Sequence, residues 1–485
     1  MVGRKAIIAL VSAGVLAALV AASGAQAQAA SSTHYSGTTA DTGQWIADVP
    51  ANWNGTLLLY SHGFGPPVAA DSPDSNTHQA LLDRGYALAG SSYDPNGSWW
   101  ALNSALNDQF QTLSAVEALL PHAPAHVFAV GTSMGGLISS LEDEHSNGRL
   151  QGALTTCGIV AGGLQLGNYQ LDGEYAMTQL LNPAGESIRL VNFDPGFAGV
   201  GEGLATGKQL DGLADQAQQT PAGRARLALA MSLMNVSTWA PGQTMPAPND
   251  YAGQEQQQYQ VEFAKNGPPT GIQTTMDFVE FGRPWIEQAA GGNPSWTKDV
   301  NFFRLLAQSP YAPEIISLYH QAGLNLRADL AQLTRNANIT ADRAAVRSIQ
   351  QTSVPTGRLQ VPELDMHTIS DQLVPVQQED YYRHTVTFAG RRDLLRQAFV
   401  QRQLHCNFTP SELVAGVQAI QQRVETGRWD HLADPAVLNA AANATGLGSF
   451  GAPAFIPYEP GRLSGDNGPF DPFTGGSFPF GFGRW

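Results

Sequence analysis

Ser133 stands between two glycines in Gly131-Thr132-Ser133-Met134-Gly135, directly after the apolar run Val127–Val130 and directly before a helical pattern that continues to about Glu144. A serine hydroxyl is a weak nucleophile until a neighbouring base takes its proton, and the base works best when a third group fixes its tautomer. A sharp strand-to-helix turn serves such a serine twice. It lifts the hydroxyl clear of the sheet edge, and it aims the first N–H groups of the helix at an oxygen on which negative charge develops. The turn is tight, so the positions two before and two after the serine must be small, and Gly131 and Gly135 fill them. In a chain with 51 glycines among 485 residues the pentapeptide alone is a weak signal. Its weight comes from strand, turn and helix arriving in that order.

The elements around this turn alternate. Gly43–Tyr60 reads as two early strands, and Gly85–Tyr93, His126–Val130 and Leu150–Thr156 as further ones. Between them lie the Gly/Pro-rich turn Ser61–Pro67, a short helix at Thr77–Arg84, and a longer one at Leu102–Leu120, where Leu102, Leu106, Phe110, Leu113 and Val116 recur at helical spacing. Strands alternating with helices predict a mainly parallel sheet covered on both faces. The rhythm stops at about Gly163. From 164 to 354 the chain is Gln/Ala-rich with helical patches and no clear strand, which predicts a large helical insertion. Strand and helix resume at Val361–Ile369 and Val376–Arg383, followed by a last strand at Leu394–Val400 and a helix from Pro410. The expected core is therefore 30–163 together with 355–445. The tail, 446–485, is rich in Gly, Pro and Phe and reads as an irregular arm.

Composition narrows the function. The formal charge is −15 with no basic run, which argues against nucleic acid or an anionic membrane surface as the main partner. Residues 1–29 read as an export signal: Arg4 and Lys5, an apolar stretch Ile7–Val20, then Ala25-Gln26-Ala27. The alternative is an N-terminal anchor. A mature chain beginning near Ala30 is expected outside the cytoplasm, without a stable membrane anchor. No C-x-x-C, H-E-x-x-H or G-x-x-x-x-G-K occurs, so no metal or cofactor is expected. Cys157 and Cys406 are the two cysteines; in an exported chain a pair favours a disulfide over two buried thiols.

With its context in place, the serine turn resembles that of the α/β-hydrolase superfamily. The resemblance implies that an acid and a histidine follow the serine in that order, each after a later strand. Val361–Pro375 is similar to the family's acid segment and offers Asp371 in the turn after the strand; Asp365 is the competitor, inside the strand pattern. His405 follows the last strand and precedes a helix whose start is well marked: Thr409 as cap, Pro410 in the first turn, Glu412 closing a capping box. His367 and His384 fall in a strand and a helix and read as structural. The resemblance also implies an oxyanion hole from the backbone N–H groups of Met134 and of Phe64, in His62-Gly63-Phe64-Gly65, with Gly65 the fallback for Phe64. The strand ending at Cys157 should finish near the histidine loop, so a Cys157–Cys406 bridge would tether that loop. This partly resembles the tannase and feruloyl-esterase group, but there a cysteine precedes the serine and here Thr132 does.

The expectation is a secreted serine hydrolase that cleaves small-molecule or polymeric carboxylic esters through Ser133, His405 and Asp371. A peptidase on the same framework is the alternative, with Glu174, Asp211 or Glu280 in the insertion as candidate amine-binding acids. A polyester hydrolase using the aromatic tail is another. Trp99 and Trp100 either line the pocket or pack in the core.

Overall fold

A computed structural model describes residues 31–266 and 271–465; the expected export signal and the end of the tail lie outside these. A nine-stranded sheet organises the core: β1 (Ser32–Thr38), β2 (Gln44–Pro50), β3 (Thr56–Ser61), β4 (Ala87–Ser91), β5 (His126–Thr132), β6 (Gly152–Thr156), β7 (Glu363–Ser370), β8 (Leu395–Gln403) and β9 (Phe455–Ile456). Their order across the sheet is β1-β2-β4-β3-β5-β6-β7-β8-β9. Pairing is parallel from β4 through β8 and antiparallel at both edges.

The central strands are apolar on both sides because helices cover both faces. Leu58, Phe128, Leu154, Met366 and Val400 point to one face, where they meet α1 (Ser75–Asp83), with Leu81 and Leu82. Leu57, Leu59, Val127, Ala129 and Ala153 point to the other, toward Leu113 and Val116 of α2 (Ala105–Glu117). The helix that follows β5 is α3 (Met134–Glu144), buried along its whole length.

After β6 the chain leaves the sheet and returns at β7. Nine helices intervene among the described residues: α4 (Gly163–Leu180), α5 (Phe197–Ala217), α6 (Pro221–Leu233), α7 (Tyr251–Phe263), α8 (Thr275–Ala290), α9 (Phe302–Gln308), α10 (Ala312–Gln321), α11 (Leu326–Asn336) and α12 (Arg343–Thr352). They have an apolar core of their own, centred on Leu210, Leu227, Leu229, Met231, Phe302 and Ile315. The core closes with α13 (Gln378–Phe388), α14 (Pro410–Thr426) and α15 (Pro435–Ala444). Leu413, Val414, Val417 and Ile420 of α14 are buried, and Val414, Val417 and Ile420 join Leu58, Phe128 and Leu154 on the α1 face.

Two strands escape the sequence reading. β1 is polar and mostly exposed, so it lacks the alternation that marks a half-buried strand. β9 lies in the tail, where Phe455 and Ile456 pair antiparallel with β8. Beyond it, Leu463 is buried, and Ser464 exchanges backbone bonds with the Asn235 side chain at 2.7 and 2.9 Å. This stretch of the tail is thus an arm that links the sheet edge to the helical insertion.

Candidate active site

The turn after β5 places Ser133 at φ 62°, ψ −123°, a backbone region that costs energy for any residue with a Cβ and is tolerated where the surroundings enforce it. The glycines are what allow it. A Cβ on Gly131 would lie 1.9 Å from the Gly135 carbonyl oxygen, and one on Gly135 would lie 1.8 Å from the carbonyl oxygen of Ser61. The serine turn is therefore pressed against the end of β3, and Gly63, just beyond β3, packs on Ser133 itself. Met134 opens α3, so its N–H has no carbonyl one turn earlier to bond. Phe64 follows Gly63 on the same loop and its side chain lines the cavity above the serine.

Residues from three distant parts of the chain meet here. His405 Nε2 lies 2.8 Å from Ser133 Oγ, and His405 Nδ1 lies 2.7 Å from an oxygen of Asp371. The loop holding His405 is fixed on both sides. Behind it, Thr409 and Glu412 form the capping box of α14, and Arg402 of β8 pairs with Glu412. Beside it, a disulfide joins Cys406 to Cys157, with 5.4 Å between Cα atoms, and brings the Cys406 sulfur within 3.3 Å of His405 Nε2.

Asp371 is fully buried in the turn after β7 and accepts the N–H groups of Leu373 and Val374, each at 2.9 Å. Burial by itself pushes its carboxyl up. The imidazole of His405, the neighbouring His367 and the Val374 N–H more than offset this and hold it below the ordinary carboxylate range. His367, read from sequence as structural, is completely buried behind this acid. Its Nδ1 is 2.6 Å from Glu379, its Nε2 is 2.8 Å from the Val374 carbonyl oxygen, and Nε2 is 3.7 Å from Asp371. It thus braces the loop that carries Asp371. The sequence signal was present, a histidine four residues before the acid, but strand burial alone explained it. His384 is bonded to its own helix backbone, at the Asp380 carbonyl.

A cavity of about 280 Å³ opens over Ser133. Its floor is Gly63, Thr132, Ser133, His405 and Cys406, and its walls are mostly apolar, among them Phe64, Trp100, Ile159 and Leu166. Phe278, Gly282 and Ile286, one stripe of α8 at helical spacing, form the roof, and Gln170 of α4 adds an amide that sequence reasoning did not single out. Trp100 lines the cavity; Trp99 stacks on Trp285 at 5.0 Å instead. The three insertion acids lie elsewhere: Glu174 pairs with Arg283, Glu280 is buried 3.6 Å from the same guanidinium, and Asp211 accepts from Thr274.

A mostly parallel sheet in this strand order, with a serine turn after β5, an acid after β7 and a histidine after β8, is the α/β-hydrolase fold, and the chain is a hydrolase of that fold. Over 442 residues it is 27% identical to an o-phthalyl amidase of Xanthobacter agilis, a match covering 84% of this chain and 91% of that protein. Among solved structures it is similar to feruloyl esterase B from Aspergillus oryzae, with TM-score 0.41 and 13% identity over 81% of this chain and 80% of that one. It is also similar to an acylaminoacyl peptidase, with TM-score 0.37 and 10% identity over 82% of this chain; there it spans 42% of the peptidase's length. No family model matches the chain.

Proposed function

We propose that the protein is a serine hydrolase that cleaves uncharged carboxylic esters through an acyl-enzyme. The unbroken hydrogen-bond chain from Ser133 through His405 to Asp371 carries this reading. His405 Nε2 takes the hydroxyl proton as Ser133 Oγ bonds to the substrate carbonyl carbon. The oxyanion is held by the N–H groups of Phe64 and Met134. The imidazolium gives its proton to the departing alkoxide, the carbonyl reforms, and an acyl-serine remains. Water then repeats the sequence with the same proton path and releases the acid. Asp371 accepts from Nδ1–H throughout, and its lowered pKa keeps it a carboxylate.

The cavity supports the choice of acyl group. An apolar cavity of about 150 Å³ already admits benzene, so the walls of Phe64, Trp100, Ile159 and Phe278 suit an aryl or branched apolar acyl group. Among the described residues lining it there is no Asp or Glu that would anchor a free amine. The 27% identity to an o-phthalyl amidase favours a second reading, hydrolysis of an aryl amide by the same residues. Export, proposed from residues 1–29, agrees with the Cys157–Cys406 bridge.

Assay p-nitrophenyl benzoate and the matching benzanilide side by side. The ester is expected to turn over faster, and Ser133→Ala to reduce its kcat by roughly 10⁴–10⁶-fold. A faster anilide would move the assignment to an amidase; undiminished hydrolysis by the variant would end the serine reading.

A further inference from the structure

A second cluster of chemically active residues sits at the far edge of the sheet, among residues that do not line the cavity. Asp48 lies on β2, Asp71 in the segment between β3 and α1, and His78 in α1. His78 Nε2 lies 3.2 Å from Asp48 Oδ2 and 3.4 Å from Asp71 Oδ2, and one ligand atom from each of the three residues falls within 4.8 Å of the others.

Both contacts are within ion-pair range, and the one to Asp48 is a hydrogen bond, but both are longer than the tightest histidine–carboxylate pairs of the molecule. The buried histidine–carboxylate pairs of this molecule close to 2.6 Å at His367–Glu379 and 2.7 Å at His405–Asp371. Charge-assisted bonds take that length. One imidazole nitrogen cannot give a good bond to two carboxylates at once. Asp71 shows the consequence: its side chain is 7% exposed, and its Oδ2 has the 3.4 Å ion-pair contact with His78 but no well-formed hydrogen bond. Ligands about 2.0–2.2 Å from a tetrahedral ion lie roughly 3.3–3.6 Å from one another; the His78–Asp71 separation of 3.4 Å falls in that range and the His78–Asp48 separation of 3.2 Å just below it. Two carboxylates and a neutral imidazole also carry the charge that a divalent cation balances.

We propose that Asp48, Asp71 and His78 bind a divalent cation of the zinc type, with water as fourth ligand. The imidazole donor favours zinc over calcium or magnesium, which take oxygen. His34 supports the site from outside: it faces Asp48 directly across β1 and β2, and its Nδ1 is 3.3 Å from the other carboxylate oxygen, Oδ1. The ion ties β2, the segment before α1 and α1 together, so its role is structural. Ligands at positions 48, 71 and 78 follow no metal-motif spacing, and the sequence pattern therefore gave no sign of them.

The test is calorimetric titration of chelator-stripped, full-length protein with zinc chloride. One equivalent should bind, with thermal stability rising as zinc is added. Asp71→Asn and His78→Ala should each weaken binding by more than about 100-fold, and His34→Ala by roughly 10-fold. His405→Ala should bind as the unaltered protein does, which separates this site from the triad. Cobalt substitution of the unaltered protein gives a readout that needs no variant: intense visible bands of a four-coordinate ion are expected. No zinc binding, undiminished binding by the Asp71 and His78 variants, tighter binding of calcium, or a weak six-coordinate cobalt spectrum would each overturn the proposal.

Discussion

Asp365 and Asp371 belong to one short stretch of chain, and both are buried, yet the fold treats them oppositely. Asp365 sits inside β7 beside Glu363 and Glu379, and burial, with the neighbouring Glu379 adding to it, pushes its carboxyl well above the ordinary range. Glu363, on the same strand face, is pushed the same way by burial and by Asp143 and Asp365. Asp371 lies just past the strand end, where the turn delivers two backbone N–H groups and His405 approaches, and it is held ionised. Residue type does not separate them. The difference comes chiefly from the neighbouring charges: His405 faces Asp371, whereas Asp365 faces Glu379, and the turn's Val374 N–H adds a smaller share.

Substitution sharpens this contrast. Asp371→Asn should lower kcat by roughly 10⁴-fold, because the amide cannot hold the His405 tautomer. Steady-state kinetics on the folded variant checks it, and a loss under tenfold would break the contrast. His367→Gln keeps a donor toward the Val374 carbonyl but loses the ring contact with Glu379. It should lower kcat by roughly 10-fold at unchanged KM. A merely structural role would lower thermal stability and leave kcat per folded molecule intact. Asp365→Asn replaces an acid whose carboxyl burial and Glu379 push well above the ordinary range and which does not face His405, so kcat should change by less than about twofold. A loss as large as that of Asp371→Asn would make Asp365 the working acid.

The protonated carboxyls also predict how stability follows pH. Burial pushes Glu142, beneath the serine turn on α3, from the ordinary 4.5 up to about 8, with the Ser61 hydroxyl opposing it. Between those values the folded chain keeps a proton that the unfolded chain releases. Its contribution is therefore full below the lower value and lost as pH rises toward about 8, at up to ~1.4 kcal/mol per pH unit. Melting temperature should fall across that window, and Glu142→Gln should flatten the fall. An unchanged slope in the variant would show Glu142 ionised in the folded state.

Legibility from sequence divides along the same line. The serine turn was readable because its demands are local: small residues at 131 and 135, apolar residues before, a helix after. His405 was readable through its neighbour, the capping box at Thr409 and Glu412, whose side chains bond as the spacing implies. Asp371 was favoured over Asp365 by position; the turn after the strand is where His405 meets the carboxylate. What escaped depends on contacts between distant segments. β1 and β9 are edge strands with little apolar patterning. The helical content of the insertion was visible, but which face of α8 roofs the cavity was not, since Phe278 and Ile286 could equally have faced the insertion's own core. The roles of Gln170 and of His367 likewise follow from tertiary placement alone.

The proposed mechanism requires that Ser133 become acylated with His405 as its base. Treat the protein with a diethyl p-nitrophenyl phosphate, count released nitrophenolate, and map the adduct by peptide mass spectrometry. One equivalent should be released, with the phosphoryl group on Ser133 and a far slower reaction in His405→Ala. An adduct on any other residue, or full-speed labelling without the imidazole, would contradict it.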